Sequence, residues 1–319
     1  MKFRFLAAAL LLGIAGAAQA QSYPAKPIHI VVPFAPGGAV DVLARAIGQR
    51  LSEQVGQPVI VDNKPGANGN IAPDFVAKSP PDGYTVLIAA NGLATNPTLF
   101  KDLPFSVTRD LAPVAYIGYS PLILVVPSSF SARTLKDVIS TAKSQPGKLN
   151  YASAGSGTSG HLAAEMLKSS AGIDVLHVPY KGGAPAIVDM LGGRISFMML
   201  DPLQAMPHIK GERLHAIAVG SPKRLPLLPD VPTVAEAGLP GYEALVWWGF
   251  LVPAKTPKEI VARLNSELNK AMAEPGVRKK LEDMGTVVVG GTPEQFEAFI
   301  RAETDKWAEV IRKADIKPD

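Results

Sequence analysis

The chain has 319 residues, with 32 Lys and Arg against 28 Asp and Glu, no cysteine and 47% hydrophobic residues. A formal charge of +4, with acids and bases interspersed, argues against a nucleic-acid-tracking surface, and the lack of cysteine rules out a disulfide framework or a lipid-modified cysteine. Gly 29 and Pro 29 together exceed the usual share of about 12% but stay below the roughly 25–30% of disordered chains. A folded, turn-rich protein is expected, and its length favours two lobes.

At the N-terminus Lys2 and Arg4 precede an apolar stretch from Phe5 to Ala18, and Ala18-Gln19-Ala20 offers the small residues that a signal peptidase reads. Residues 1–20 therefore read as a cleavable secretory signal, shorter than the ~20 apolar residues of a membrane span. Its removal takes the formal charge from +4 to +2. A free protein in the periplasm of a Gram-negative bacterium is expected.

Apolar strand-like runs then alternate with helical periodicity, which predicts an α/β fold. Strands are expected at 28–32, 59–61, 85–89, 115–126, 150–152, 175–178, 197–200, 216–219 and 249–252. Helices are expected at 40–54, 135–143, 162–170, 184–191, 258–272, 274–284 and 293–313. Thr256-Pro257 and Thr292-Pro293-Glu294 each read as an N-cap followed by an N1 proline. The long run 115–126 and the extended stretch 242–253 read as crossings between lobes. They place a first lobe at 22–122 plus 245–319 and a second at 123–244.

Two glycine-rich turns, Pro33-Phe34-Ala35-Pro36-Gly37-Gly38 and Ala154-Gly155-Ser156-Gly157-Thr158-Ser159-Gly160, each join an apolar run to a helical one. The first backbone N–H groups of such a helix lack internal partners and its dipole points its positive end outward, so each turn suits an anion. The two turns fall in different lobes and are expected to face one cleft. Ser156, Gly157, Thr158 and Ser159 offer hydroxyls and N–H groups as direct ligand contacts. Gly155 through Gly160 also spells the dinucleotide pattern G-x-G-x-x-G, but Asp174 precedes its strand where the ribose-binding acid follows one, and an exported protein meets little NAD. No cofactor is expected.

The chain resembles the periplasmic solute receptors of tripartite tricarboxylate transporters, the Bug family, over essentially all of its mature length. The matching segments are Val32-Pro33-Phe34-Ala35-Pro36-Gly37-Gly38-Ala39-Val40-Asp41, Val61 through Gly69, Asp82-Gly83-Tyr84-Thr85, Val178-Pro179-Tyr180-Lys181-Gly182, Leu191-Gly192-Gly193, Pro229 through Gly238 and Trp248-Gly249-Phe250. The resemblance implies a two-lobed, type II-like periplasmic binding protein that closes over a small organic carboxylate and passes it to membrane permease subunits. It implies a role for Phe34, Ala35, Pro36, Gly37, Gly38 and Ala39, whose backbone approaches a carboxylate, with Gly37 and Gly38 free to take positive φ. Asp41 is expected to bond loop N–H groups rather than ligand. Val40 stands where the family commonly has a polar residue, which makes this pocket more apolar.

Asn91 and Thr95 follow the strand ending near Ala89 and are pocket candidates, with Asn96 read as a turn residue before Pro97. Asp201 follows the strand 197–200 at a commonly acidic position, suited to a ligand amine or hydroxyl or to bonding loop amides. His161, one residue past the second turn, is read as an aid to anion binding or as a cap. Tyr180 is placed at the cleft with Lys181 as a possible counter-charge, and Trp248, on the return crossing, as an apolar wall. His29, His177, His208 and His215 show no metal-ligand spacing, so no metal is expected.

A monomer is expected. Two other functions fit less well. A sensory receptor presenting the same ligand to a sensor kinase shares the pocket and differs only in partner. A secreted serine hydrolase would need glycine where His161 follows Ser159 and Gly160, so no nucleophile elbow is formed and no enzyme is expected.

Overall fold

The computed structural model describes residues 23–318, so the expected signal at 1–20 lies outside the described residues. Two mixed sheets organise the chain. The first contains β1 (Ile28–Val32), β2 (Val59–Asn63), β3 (Thr85–Ala90), β4 (Leu111–Pro121), β10 (Leu245–Pro253) and β11 (Val287–Val288), in the order β11-β4-β10-β3-β1-β2. The second contains β5 (Ile123–Pro127), β6 (Asn150–Ser153), β7 (Leu176–Pro179), β8 (Phe197–Leu200) and β9 (Leu214–Val219), in the order β7-β6-β8-β5-β9. The run 115–126 is thus not one strand. It breaks at Leu122, whose N–H bonds Ala244 O at 3.1 Å where the outgoing and returning chains run side by side.

Helices cover both faces of each sheet. On the first sheet α1 (Ala39–Val55), α9 (Lys258–Ala273) and α10 (Pro275–Asp283) lie over one core, while α2 (Ile71–Ala77) and α3 (Gly92–Leu99) lie over the other, with a single turn α4 (Val107–Asp110) beside them. The second sheet carries α5 (Leu135–Ser144) and α6 (Ser159–Ala171) on one face, and α7 (Gly183–Leu191) and α8 (Pro202–Lys210) on the other. In α1 the buried positions Val40, Leu43, Ala44, Ile47 and Leu51 recur at helical spacing. Each such Leu or Ile contributes about 1.5–3 kcal/mol by burial. Gly56, at φ +68°, ends that helix by returning its N–H to Ser52 O.

The last helix, α11 (Pro293–Lys313), opens with a capping box between Thr292 and Gln295 and has Pro293 at its first turn, as its sequence predicts. Thr256 behaves otherwise: its hydroxyl bonds Pro253 O at 2.7 Å and Pro257 is the N-cap of α9. Phe296 and Ile300 of α11 pack into a core of the first sheet, and Trp307 and Ile311 into a core of the second. One helix is therefore built into both lobes.

Candidate functional site

Four strands end at the same opening, and each leads into a helix. β1 feeds α1, β3 feeds α3, β6 feeds α6 and β8 feeds α8. Carboxyl ends of parallel strands are where open α/β sheets form ligand crevices. Here a cavity of about 240 Å³ lies between the lobes, lined on one side by Phe34, Ala39, Asn91 and Thr95 and on the other by Gly157, Thr158, Ser159 and Asp201, with Trp248 as part of its wall. A larger cavity of about 560 Å³ lies between the 100–108 segment and α11, but none of the expected residues lines it and no strand-to-helix turn opens on it.

Three of the four helix starts carry no side-chain cap: Gly38 before α1, Asn91 before α3 and Thr158 before α6. The fourth is closed by its own residue, because Asp201 accepts the Gln204 N–H at 3.0 Å. Among the described residues the lining holds no Lys, Arg or His, and Asp201 is its one charged side chain. The groups in the cavity suited to an anion are therefore helix ends and amide and hydroxyl groups.

The first turn is held from below by Asp41, which is 3% exposed. Its Oδ2 accepts the Gly37 N–H at 2.9 Å and Arg45 Nε at 3.0 Å; its Oδ1 accepts Arg45 Nη2 and Asn63 Nδ2, both at 2.9 Å. The Arg45 bonds, with those from Gly37 and Asn63, hold the Asp41 carboxyl down at about 2 despite its burial. Gly37 takes φ +88°, but Gly38 sits at φ −77°, so only the first glycine uses the left-handed region. Ala35, Pro36, Gly37 and Gly38 form the turn without lining the cavity, whereas Phe34, 41% exposed, stands at its mouth.

The second turn is organised differently from its sequence expectation. The Gly157 N–H goes to His161 Nδ1 at 3.0 Å, and the Thr158 hydroxyl donates to Gly155 O at 2.7 Å. Among the described residues the Ser159 hydroxyl has no protein partner, so it is the freest hydroxyl of this turn. Ser156 lies outside the cavity lining, as do His161 and Tyr180. The Tyr180 hydroxyl donates to Asp189 Oδ2 at 2.6 Å.

The lining also includes residues that sequence reasoning missed or placed elsewhere. Asn96 is no turn residue: it is buried inside α3 beside Pro97, and its Nδ2 donates to Asn70 Oδ1 at 2.7 Å and Asn68 O at 3.1 Å. Ser120 and Thr286, from β4 and the turn before β11, complete the polar lining, while Val40, Leu203, Val246 and Met284 make it partly apolar. Of the two tryptophans, Trp248 reaches the cavity and Trp247 is fully buried against Phe296 and Phe299.

Two sheet-based lobes around one cleft are the architecture of solute-binding proteins, and the family the chain matches is one of receptors, not enzymes. The chain belongs to the tripartite tricarboxylate transporter receptor family, whose model matches residues 43–316. It is 37% identical to protein BugT of Bordetella pertussis over 96% of this chain and 94% of that one. It also superposes on Rpa4515 of R. palustris, solved with adipate, at a TM-score of 0.82 and 36% identity, covering 93% of this chain and all of that one. MatC from Rhodopseudomonas palustris, solved with malate, matches at a TM-score of 0.77 and 31% identity over 91% of this chain and all of that one.

Proposed function

We propose that this protein is a periplasmic receptor that captures a small organic carboxylate between its lobes and delivers it to the membrane subunits of a tripartite tricarboxylate-type transporter. The observation that carries this reading is the convergence of three uncapped helix starts on a cavity lined by neutral groups and one acid. Helix ends of this kind bind carboxylates through their free N–H groups without a counter-charge. Relatives solved with adipate and with malate support the ligand class.

The ligand docks against the first turn through backbone N–H groups at the start of α1, and closure adds Ser159 and the start of α6. Asp201, already bonded to Gln204, faces the cavity as an acceptor for a ligand hydroxyl and disfavours a second carboxylate beside it. Each charge-assisted hydrogen bond contributes roughly 1.5–3 kcal/mol, so a few of them give micromolar affinity after ordering costs. The protein acts as a monomer exported by its N-terminal signal.

A thermal-shift screen of residues 21–319 against adipate, malate, citrate, acidic amino acids and aromatic acids tests this. A ligand at about 100 times its dissociation constant adds roughly 2.7 kcal/mol and raises the melting temperature by a few degrees. If no acid shifts the protein, and mass spectrometry of the denatured protein releases no retained acid, the carboxylate reading fails. In a deletion strain, lost uptake supports transport; intact uptake with lost gene induction would make the partner a sensor kinase.

A further inference from the structure

The two turns at the cleft are tied down by the same geometry and by different chemistry. Asp41 is the third residue of α1 and accepts the Gly37 N–H; His161 is the third residue of α6 and accepts the Gly157 N–H. In both, the acceptor lies four residues after the donor, the glycine is left-handed (φ +88° and +76°), and the side chain is buried. A third-position side chain reaching back over a helix start is like the outer half of a capping box, usually carboxylate or amide, but here it bonds the residue before the N-cap. The second turn uses an imidazole instead.

A carboxylate keeps its lone pairs at any pH above its own titration, and Asp41 is held low by Arg45. An imidazole nitrogen accepts only while it carries no proton. With Nδ1 accepting from Gly157, neutral His161 carries its proton on Nε2.

His161 packs against side chains that are engaged with one another. His177, on β7, stacks on it at a ring-centroid distance of 3.8 Å and lies 2.7 Å from Ser153 Oγ through Nε2. Tyr151, on β6, lies 6.2 Å away by ring centroids and donates its hydroxyl to Glu165 Oε1 at 2.5 Å. Glu165, on α6 itself, also pairs with Lys168 at 2.8 Å. A proton added to His161 Nδ1 would meet the Gly157 N–H head on and would sit near the positive end of α6.

We propose that His161 is a positioning residue for the second-lobe turn, holding Gly157 only while its imidazole is neutral, so that capture weakens in acid through this turn while the first turn keeps its shape. The inference rests on the carboxylate-receptor reading for its effect on affinity. Its sign follows from linkage: the form that holds Gly157 needs unprotonated His161, so affinity is full while the imidazole is neutral and is lost as pH falls and the ring takes up a proton. Direct attraction between an imidazolium and the bound anion acts the other way.

The test compares wild type with His161→Asn, whose Oδ1 takes the place of Nδ1 and does not titrate, and with His161→Phe, which has no acceptor. Between pH 8 and pH 5.5, adipate affinity measured by calorimetry should fall on the order of tenfold more for wild type than for His161→Asn. His161→Phe should bind weakly throughout and follow the His161→Asn profile in shape. In the ligand-free wild type, the hydrogen-exchange protection factor of the Gly157 amide should drop over the same range while that of Gly37 holds. An affinity that rises in acid, an Asn variant that tracks wild type, or a Gly157 amide indifferent to pH would each overturn the proposal. Should wild type bind no adipate, that ligand assignment fails and the Gly157 amide alone decides the role of His161.

Discussion

Asn91 clamps the returning strand on both sides of Val246: its Oδ1 accepts the Trp247 N–H at 2.8 Å and its Nδ2 donates to Leu245 O at 2.7 Å. An amide is the one small side chain that offers a donor and an acceptor side by side. It fixes where β10 enters the first sheet and so fixes Val246 and Trp248 on the cavity wall.

Asn91→Asp removes the donor and sets a carboxylate against Leu245 O. The expected cost is about 1–3 kcal/mol of stability, read by denaturant titration. Adipate binding should fall further than stability, because the new charge also faces the cavity. Equal binding by folded variant and wild type would remove Asn91 from the site.

Asp41 makes a pH prediction whose sign is fixed. Its folded carboxyl sits at about 2, below its ordinary value of 3.8, so it stabilises the protein above pH ~4 and that contribution is lost as pH falls toward 2. Asp41→Asn should lower the melting temperature at pH 7 and flatten its decline between pH 4 and 2. A variant that loses stability in acid as steeply as wild type would refute this.

The glycines separate by conformation. Gly38→Ala, at φ −77° with Ala35 O 3.8 Å from the new methyl, should change stability by less than about 0.5 kcal/mol. Gly37→Ala has room but φ +88°, and should cost about 1–2 kcal/mol. Gly157→Ala adds a methyl 2.9 Å from Leu99 Cδ1, a residue of the first lobe's α3, so it should also weaken adipate binding about tenfold by hindering closure. Denaturant titration of the three variants checks the stability ranking, and calorimetric titration with adipate reads the loss of binding at Gly157→Ala.

Val40 gives the lining one of its apolar positions at the start of α1. Val40→Thr supplies a hydroxyl of nearly equal volume, and the ratio of malate to adipate affinity should rise several-fold, since malate carries a hydroxyl to pair with it. An unchanged ratio would place Val40 away from the ligand.

Trp307, fully buried, anchors α11 in the second lobe and donates its Nε1–H to Glu303 Oε2 at 2.9 Å. Trp307→Ala should cost about 3–5 kcal/mol. Scanning calorimetry should then resolve two transitions where wild type shows one, as the lobes lose their shared helix. A single transition at a lowered temperature would argue against that coupling.

Periodicity located most elements because their apolar positions repeat without interruption: β1, β8 and α11 fall where their patterns end. Four short helices escaped it, among them α3, whose Pro97 reads as a breaker, and α8, whose Pro202 and Pro207 do the same. Tertiary burial outweighs local propensity at both. The turns at the cleft were legible from their glycines, but not their internal bonding. Nothing in the spacing tells that Gly157 spends its N–H on His161, or that Ser120 on β4 and Thr286 in the turn before β11 arrive at the cavity from places remote in sequence. Asp41 was legible as a support because an acid beside an anion site needs another partner.

β10 lies between β3 and β4, so the first sheet remains in two pieces until residue 253 has emerged. The second sheet is drawn from one unbroken stretch, residues 123–219, and can assemble before β10 has appeared. The chain's order of appearance thus delays completion of the first lobe until late. Long-range pairing of this kind is slow, so closing the first sheet is expected to be the late step of folding.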